Sequence, residues 1–204
     1  MSKYVALEPR RNRGWPWPEI DSGSNALFGE DGWCSKCGVP KNPQSGPLVL
    51  QRKSLRPVGA WMPHWQDEIY CMSADLAAEV DARFDVSLRP VEWRGASPGE
   101  AMQLVVPTVG QSWFVEEQLA EKVKSRHGRT GKRCEQCNVW RWLGLFWEQL
   151  PKLRTPVELD GLDVGASPEW FGDGTQAYRQ VVMRRELAEL LCSASPKDFE
   201  ISEI

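Results

Sequence analysis

The sequence predicts a single α+β domain spanning residues 1–204, on three observations. Its 204 residues are 41% hydrophobic and 26% charged, a length and balance that suit one globular core. Two blocks, 68–93 and 177–204, each read as strand, helix, strand. Two Cys-x-x-Cys turns are separated by ninety-six residues, 38–133.

SKYVALE (2–8) is expected as a short first strand. Residues 9–32 are rich in Pro, Gly, Asn and Ser and predict a loop. The first cysteine turn occupies 33–40, and PLVLQRK (47–53) reads as a strand. Residues 54–67 are irregular, broken by Pro57, Gly59 and Pro63. EIYCM (68–72) has strand composition, and Ser73 is placed to cap a helix over 74–84 with Leu76, Val80 and Phe84 on one face. VSLRPVEW (86–93) alternates like a half-buried strand. At about 25 residues this β-α-β unit is short for a parallel crossover. AMQLVVP (101–107) is a further strand, and Ser112 is expected to cap a helix over 113–124. A basic loop, 124–138, runs into the second cysteine turn at 133–140. Residues 151–176 read as acidic loop, followed by a strand at 177–183, a helix at 184–193 with Leu187, Leu190 and Leu191, and an alternating segment at 198–204.

The two blocks align. YCMSADLAAEV (70–80) falls on VVMRRELAELL (181–191), with Met72 on Met183, Leu76 on Leu187 and Ala77 on Ala188. Internal duplication and shared amphipathic patterning both produce such a match.

The cysteines carry the clearest chemistry. Cys34 and Cys37 stand in CSKCG, Cys134 and Cys137 in CEQCN. Each turn aims two sulfurs to one side, and four thiolates make a closed tetrahedral zinc site. Gly38, and Asn138 in its place in the second turn, suit the left-handed backbone that such a turn needs. Lys36, Lys41, Lys132 and Arg133 are placed to offset the formal −2 of zinc with four thiolates. Closing so long a loop costs on the order of 4 kcal/mol, against ~10–16 kcal/mol for a structural zinc site. A redox CxxC normally opens a helix after a strand, and neither pair does so. Two disulfides are disfavoured in a reducing compartment, and an iron–sulfur cluster has the same cysteine requirement. Structural zinc is the reading preferred. Cys71 and Cys192 sit in apolar company and are expected as core thiols, and neither His64 nor His127 is expected to bind metal.

Other features limit the function. The N-terminus has no signal-peptide core, and no stretch approaches the ~18 apolar residues of a membrane helix. A cytoplasmic protein is expected. No phosphate-cradling glycine loop, GxSxG or HExxH is present, and two histidines supply few general bases, so no enzyme is expected. Lys122, Lys124, Arg126, Arg129, Lys132 and Arg133, followed by Trp140 and Trp142, suit a nucleic-acid strand. The net charge of −3 argues against that as the main role. Eleven tryptophans suit core, metal cover or a partner surface, and Trp15 and Trp17 lie in an exposed-looking GWPWP run.

WCSKCG (33–38), RCEQC (133–137) with Asn138, and GDGTQAYRQVVMRRELAELL (172–191) resemble the bacterial double-CxxCG motif family, whose members are regarded as immunity proteins of polymorphic toxin systems. Asn138 departs from the second CxxCG. The resemblance implies a non-enzymatic protein that neutralises one cognate protein toxin, with the ligand role falling on Cys34, Cys37, Cys134 and Cys137. It identifies no contact residue. From its charge alone, the acidic stretch with Asp160, Asp163, Glu169 and Asp173 is expected to meet the partner. The alternative function is a zinc-containing nucleic-acid-binding regulator.

Overall fold

Short apolar strands feeding directly into amphipathic helices set the architecture. The computed structural model describes residues 2–10, 16–18, 23–52, 56–64, 66–95, 98–154, 161–174 and 176–204. The first strand, β1 (Tyr4–Pro9), is followed by a five-residue helix, α1 (Ser24–Phe28), inside the stretch expected as loop. Next come β2 (Leu48–Leu50) and β3 (Ala60–Trp61). β4 (Tyr70–Ser73), α2 (Ala74–Arg83) and β5 (Ser87–Trp93) form the first predicted block. α2 buries Leu76, Ala77 and Val80, the spacing that predicted it. Ser73 holds the N-cap position in extended geometry without a side-chain capping bond.

β6 (Ala101–Val105) closes the first half. α3 (Glu116–His127) starts three residues later than expected. The Ser112 hydroxyl is no cap: it donates to the Phe114 carbonyl at 2.9 Å and meets Glu169 at 2.9 Å. The basic loop is largely ordered structure, the end of α3 and the hairpin of β7 (Gly131–Arg133) and β8 (Trp140–Trp142). The acidic loop contains β9 (Val164–Ala166) and β10 (Trp170–Phe171). β11 (Val181–Arg184), α4 (Arg185–Ala194) and β12 (Phe199–Glu203) form the second block.

The predicted β-α-β pairs do not pair directly. β6 lies between β4 and β5, antiparallel to both, in a five-stranded sheet of order β2-β5-β6-β4-β3. In the second block β1 fills the same place between β11 and β12, in a four-stranded sheet of order β12-β1-β11-β9. A third strand in the middle explains how so short a connection serves: the helix steps across to a landing site two strands away. The correspondence is close. Strand and helix of the second block each start 111 residues after their counterparts, 70 to 181 and 74 to 185. Ser73 pairs with Ala101, the first residue of β6, as Arg184 pairs with Tyr4, the first of β1. One difference is topological. β6 follows β5 along the chain, whereas β1 comes from the opposite end.

One large core runs through both units, including Val5, Leu7, Met72, Leu104, Met183, Leu187 and Phe199. Close approach fastens them. Gly59 has φ +68°, and a Cβ there would lie 2.4 Å from the Ser195 hydroxyl and 2.6 Å from the Ala194 carbonyl. Only glycine fits both demands. The Ser195 hydroxyl accepts the Ala60 N–H at 2.9 Å, and Tyr70 donates its hydroxyl to the Leu7 carbonyl at 3.0 Å. A second core gathers Trp113, Phe114, Trp142, Trp147 and Phe171 over α3. Trp142 and Trp147 thus fill core, and Trp17 is partly exposed against His64. Trp15 lies outside the described residues. Among the described residues no helix is long and apolar enough to cross a membrane.

Candidate metal centre and the adjoining cleft

Each CxxC segment folds as the same tight knuckle. In the first, the Cys34 N–H donates to the Val39 carbonyl at 2.9 Å and the Gly38 N–H to the Cys34 carbonyl at 2.7 Å. In the second, Cys134 and Val139 make the same bond at 2.9 Å, and Asn138 and Cys134 at 2.8 Å. Gly38 has φ 76° and Asn138 φ 62°, the one positive-φ residue other than glycine among those described. Asn138 therefore does the work of the missing glycine.

The knuckles face each other and bring the four sulfurs together. Cys34 Sγ lies 3.8 Å from Cys134 Sγ, and Cys37 Sγ 3.5 Å from Cys137 Sγ. All four lie within 4.8 Å of one another. A tetrahedral zinc with 2.3 Å bonds to sulfur has S–S edges of about 3.8 Å, so this donor set fits a single metal ion. All six cysteines are free thiols, and these separations exceed the ~2.05 Å of a disulfide. Val39, Val139, Trp170 and Ala177 pack around the cluster, which buries Cys34, Cys37 and Cys134 and leaves Cys137 partly exposed. Backbone N–H groups, chiefly that of Cys137, lower the Cys134 thiol to about 6, while burial pushes Cys37 and Cys137 up. A cation that binds thiolate would displace the protons these two retain.

The flanking charges are engaged. Lys36 pairs across the two knuckles with Glu135. Lys132 pairs with Asp173 at 2.9 Å, and Arg133 donates to the Asn138 carbonyl at 2.8 Å. Lys41 reaches the Asp31 carbonyl at 3.3 Å. Cys71 and Cys192 lie away from the cluster, the first fully buried and the second with its thiol 3.5 Å from the Phe199 carbonyl. His127 Nε2 sits 2.8 Å from the Gly144 carbonyl, and neither histidine joins the sulfur cluster.

Among the described acidic residues, Asp163 and Glu169 turn inward and Asp173 stays at the surface. Asp163 is buried, bonded to Arg184 at 3.0 Å and to the Asp85 N–H at 2.7 Å. Glu169 turns inward, where one oxygen accepts from Ser112, Trp113 and Phe114. Asp173 is partly exposed and clamps Arg129 and Lys132. Asp160 lies outside the described residues. Burial of Trp142 likewise withdraws one stacking surface from the basic cluster.

Sequence reasoning missed the cleft beside the first knuckle. It measures about 580 Å³ and runs along the seam of the two units, between Pro40–Gln44, the end of β6, and Trp170 with Tyr178 and Arg179. A mostly buried pair, Glu68 and Arg179 at 2.6 Å, closes one side, and Arg179 lies 4.9 Å over the Trp170 ring. Gln44 and Gln103 exchange amide bonds at 2.9 and 2.8 Å across the floor. Asp67 lines the cleft as an exposed residue, its carboxyl pushed up by desolvation and pulled back by the nearby His64 ring. Glu68 and Arg179 are 111 residues apart, beyond any local signal. Compared with known proteins, the chain matches no family model, no curated protein and no solved structure.

Proposed function

We propose that the protein binds and neutralises one cognate protein toxin, as an immunity protein, with a structural zinc ion held by Cys34, Cys37, Cys134 and Cys137. The observation that carries this reading is the sulfur cluster, with one knuckle preceding each of the two strand-helix-strand blocks. Zinc saturated by four thiolates has no open position for substrate or water. It supplies closure, and what remains for function is a surface. The cleft is the concave surface next to that clasp. Asp67, an exposed carboxylate lining the cleft, suits a partner segment that brings a basic side chain.

Co-purification with the protein encoded by the adjacent gene, followed by a toxicity-rescue assay, tests the reading. A stoichiometric complex and rescue are expected. Recovery of nucleic acid without a protein partner would instead favour the nucleic-acid regulator. Asp67→Lys should weaken the complex at least about tenfold, and unchanged affinity would remove the cleft as the contact surface. Metal analysis should find one zinc per chain, lost in a Cys34→Ser, Cys134→Ser variant.

A further inference from the structure

Arg141 is the most deeply buried charge among the described residues. It is 2% exposed and sits at the centre of β8 between Trp140 and Trp142. One guanidinium nitrogen donates to three carbonyls, those of Cys37 at 3.3 Å, Gly174 at 2.9 Å and Gln176 at 3.2 Å. Nε has no partner. Among the described residues no carboxylate pairs with it, although Arg179, Arg184 and Arg185 pair with Glu68, Asp163 and Glu203. An isolated buried charge is costly. Lysine can escape that cost by losing its proton, but arginine keeps its charge. Three carbonyl dipoles solvate the group without neutralising it. Among the described residues, Asp173 beside the Gly174 carbonyl is already engaged by Arg129 and Lys132, and the four thiols at the Cys37 carbonyl are the cluster left to carry a balancing negative charge.

Resting on the metal reading above, we propose that Arg141 is the internal counter-ion of a tetrathiolate metal centre. Four thiolates around a divalent ion carry a net −2. Arg141 follows the second knuckle along β8 and bonds the backbone of the first, at a ligand residue. It therefore holds one knuckle against the other and offsets the charge that metal binding creates. Lys36 and Lys132 are poor substitutes, since both are half-exposed and already paired with Glu135 and Asp173. Arg141 is a positioning residue: it reaches the metal through the ligands and their backbone.

The test is zinc affinity of the full-length protein, read by competition with a chromophoric chelator at fixed pH. Arg141→Met keeps the apolar stem and removes the charge, and it should weaken zinc binding by about 10–100-fold. Arg141→Lys should recover most of that loss. The deciding measurement repeats the pair in a Cys137→His background, where the site charge falls from −2 to −1 and the penalty of Arg141→Met should shrink several-fold. An equal penalty in both backgrounds would assign Arg141 a purely structural role and overturn the inference. Arg141→Gln serves the same cycle if the Met variant does not fold. Zinc taken up by the wild type and held as tightly by both neutral variants overturns the inference alone. A wild type that takes up no zinc overturns the metal reading with it.

Discussion

On the proposed metal reading, removing the ion should open the first knuckle while leaving the two sheets folded. Without metal, residues 32–42 are held to the body by Val39, by the Arg141 bond and by the Trp33 indole, which donates to Asn25 at 2.8 Å and adds about 1 kcal/mol. Val39 is 3% exposed, and its burial is worth about 1.5–3 kcal/mol. The Arg141 bond to the Cys37 carbonyl adds about 1.5–3 kcal/mol. The Lys36–Glu135 pair is solvent-screened and contributes little. Local opening then requires about 4–7 kcal/mol, which is amide protection of about 10³–10⁵. The body of a domain resists with about 5–15 kcal/mol. Hydrogen exchange with and without a strong chelator measures the difference. The Cys34, Gly38 and Lys41 amides, bonded to Val39, Cys34 and Gly32, should fall to the local limit. Amides of β4, β6 and β11 should change less than about tenfold. Loss of protection in the strands and the knuckle together would refute the argument, because the metal would then hold up the whole fold.

Three further outcomes follow from particular residues. Asn138→Val should destabilise by about 1–2 kcal/mol, because the φ of 62° is strained for a β-branched residue, while Asn138→Gly should be neutral or better in thermal unfolding. Asp173 is held at about 2, first by the Lys132 ammonium, then by the Gly174 N–H and Arg129. Its folded value is depressed, so its stabilisation is complete above about pH 4 and lost as pH falls through about 2. The Gly174 amide shift should titrate near 2, and a midpoint near 3.8 would dismiss the clamp. Met72→Ala and Met183→Ala remove fully buried side chains from matching positions, and each should cost about 2–5 kcal/mol in urea unfolding.

How far the sequence could be read depended on how local each feature was. α2 and α4 were legible because Leu76, Val80, Leu187 and Leu191 recur at helical spacing and each helix packs on strands of its own unit. Both knuckles were legible because four residues define a turn, and Asn138 was read correctly as a glycine substitute. The place of β1 was not, since nothing in YVALEP points to neighbours beyond residue 180. Charge was the least legible property. Asp163 reads as loop surface until Arg184 is brought beside it, and Ser112 as a cap until Glu169 arrives from another segment. Arg141 between two tryptophans reads as an outward-facing residue of an alternating strand. Here both faces of β8 are covered, so alternation carried no information about exposure.

The position of β1 also dictates an order of events during synthesis. β6 emerges directly after β5, so the first sheet can close as soon as it is made. Residues 4–9 must wait for Val181–Glu203, which at 5–20 residues per second is a delay of roughly 10–40 s. During that interval Val5, Ala6 and Leu7, all buried in the finished fold, have no sheet to enter. The early half matures alone while a sticky leading strand trails from it. Residues 4–9 are thus the apolar strand that this topology leaves longest without its partners.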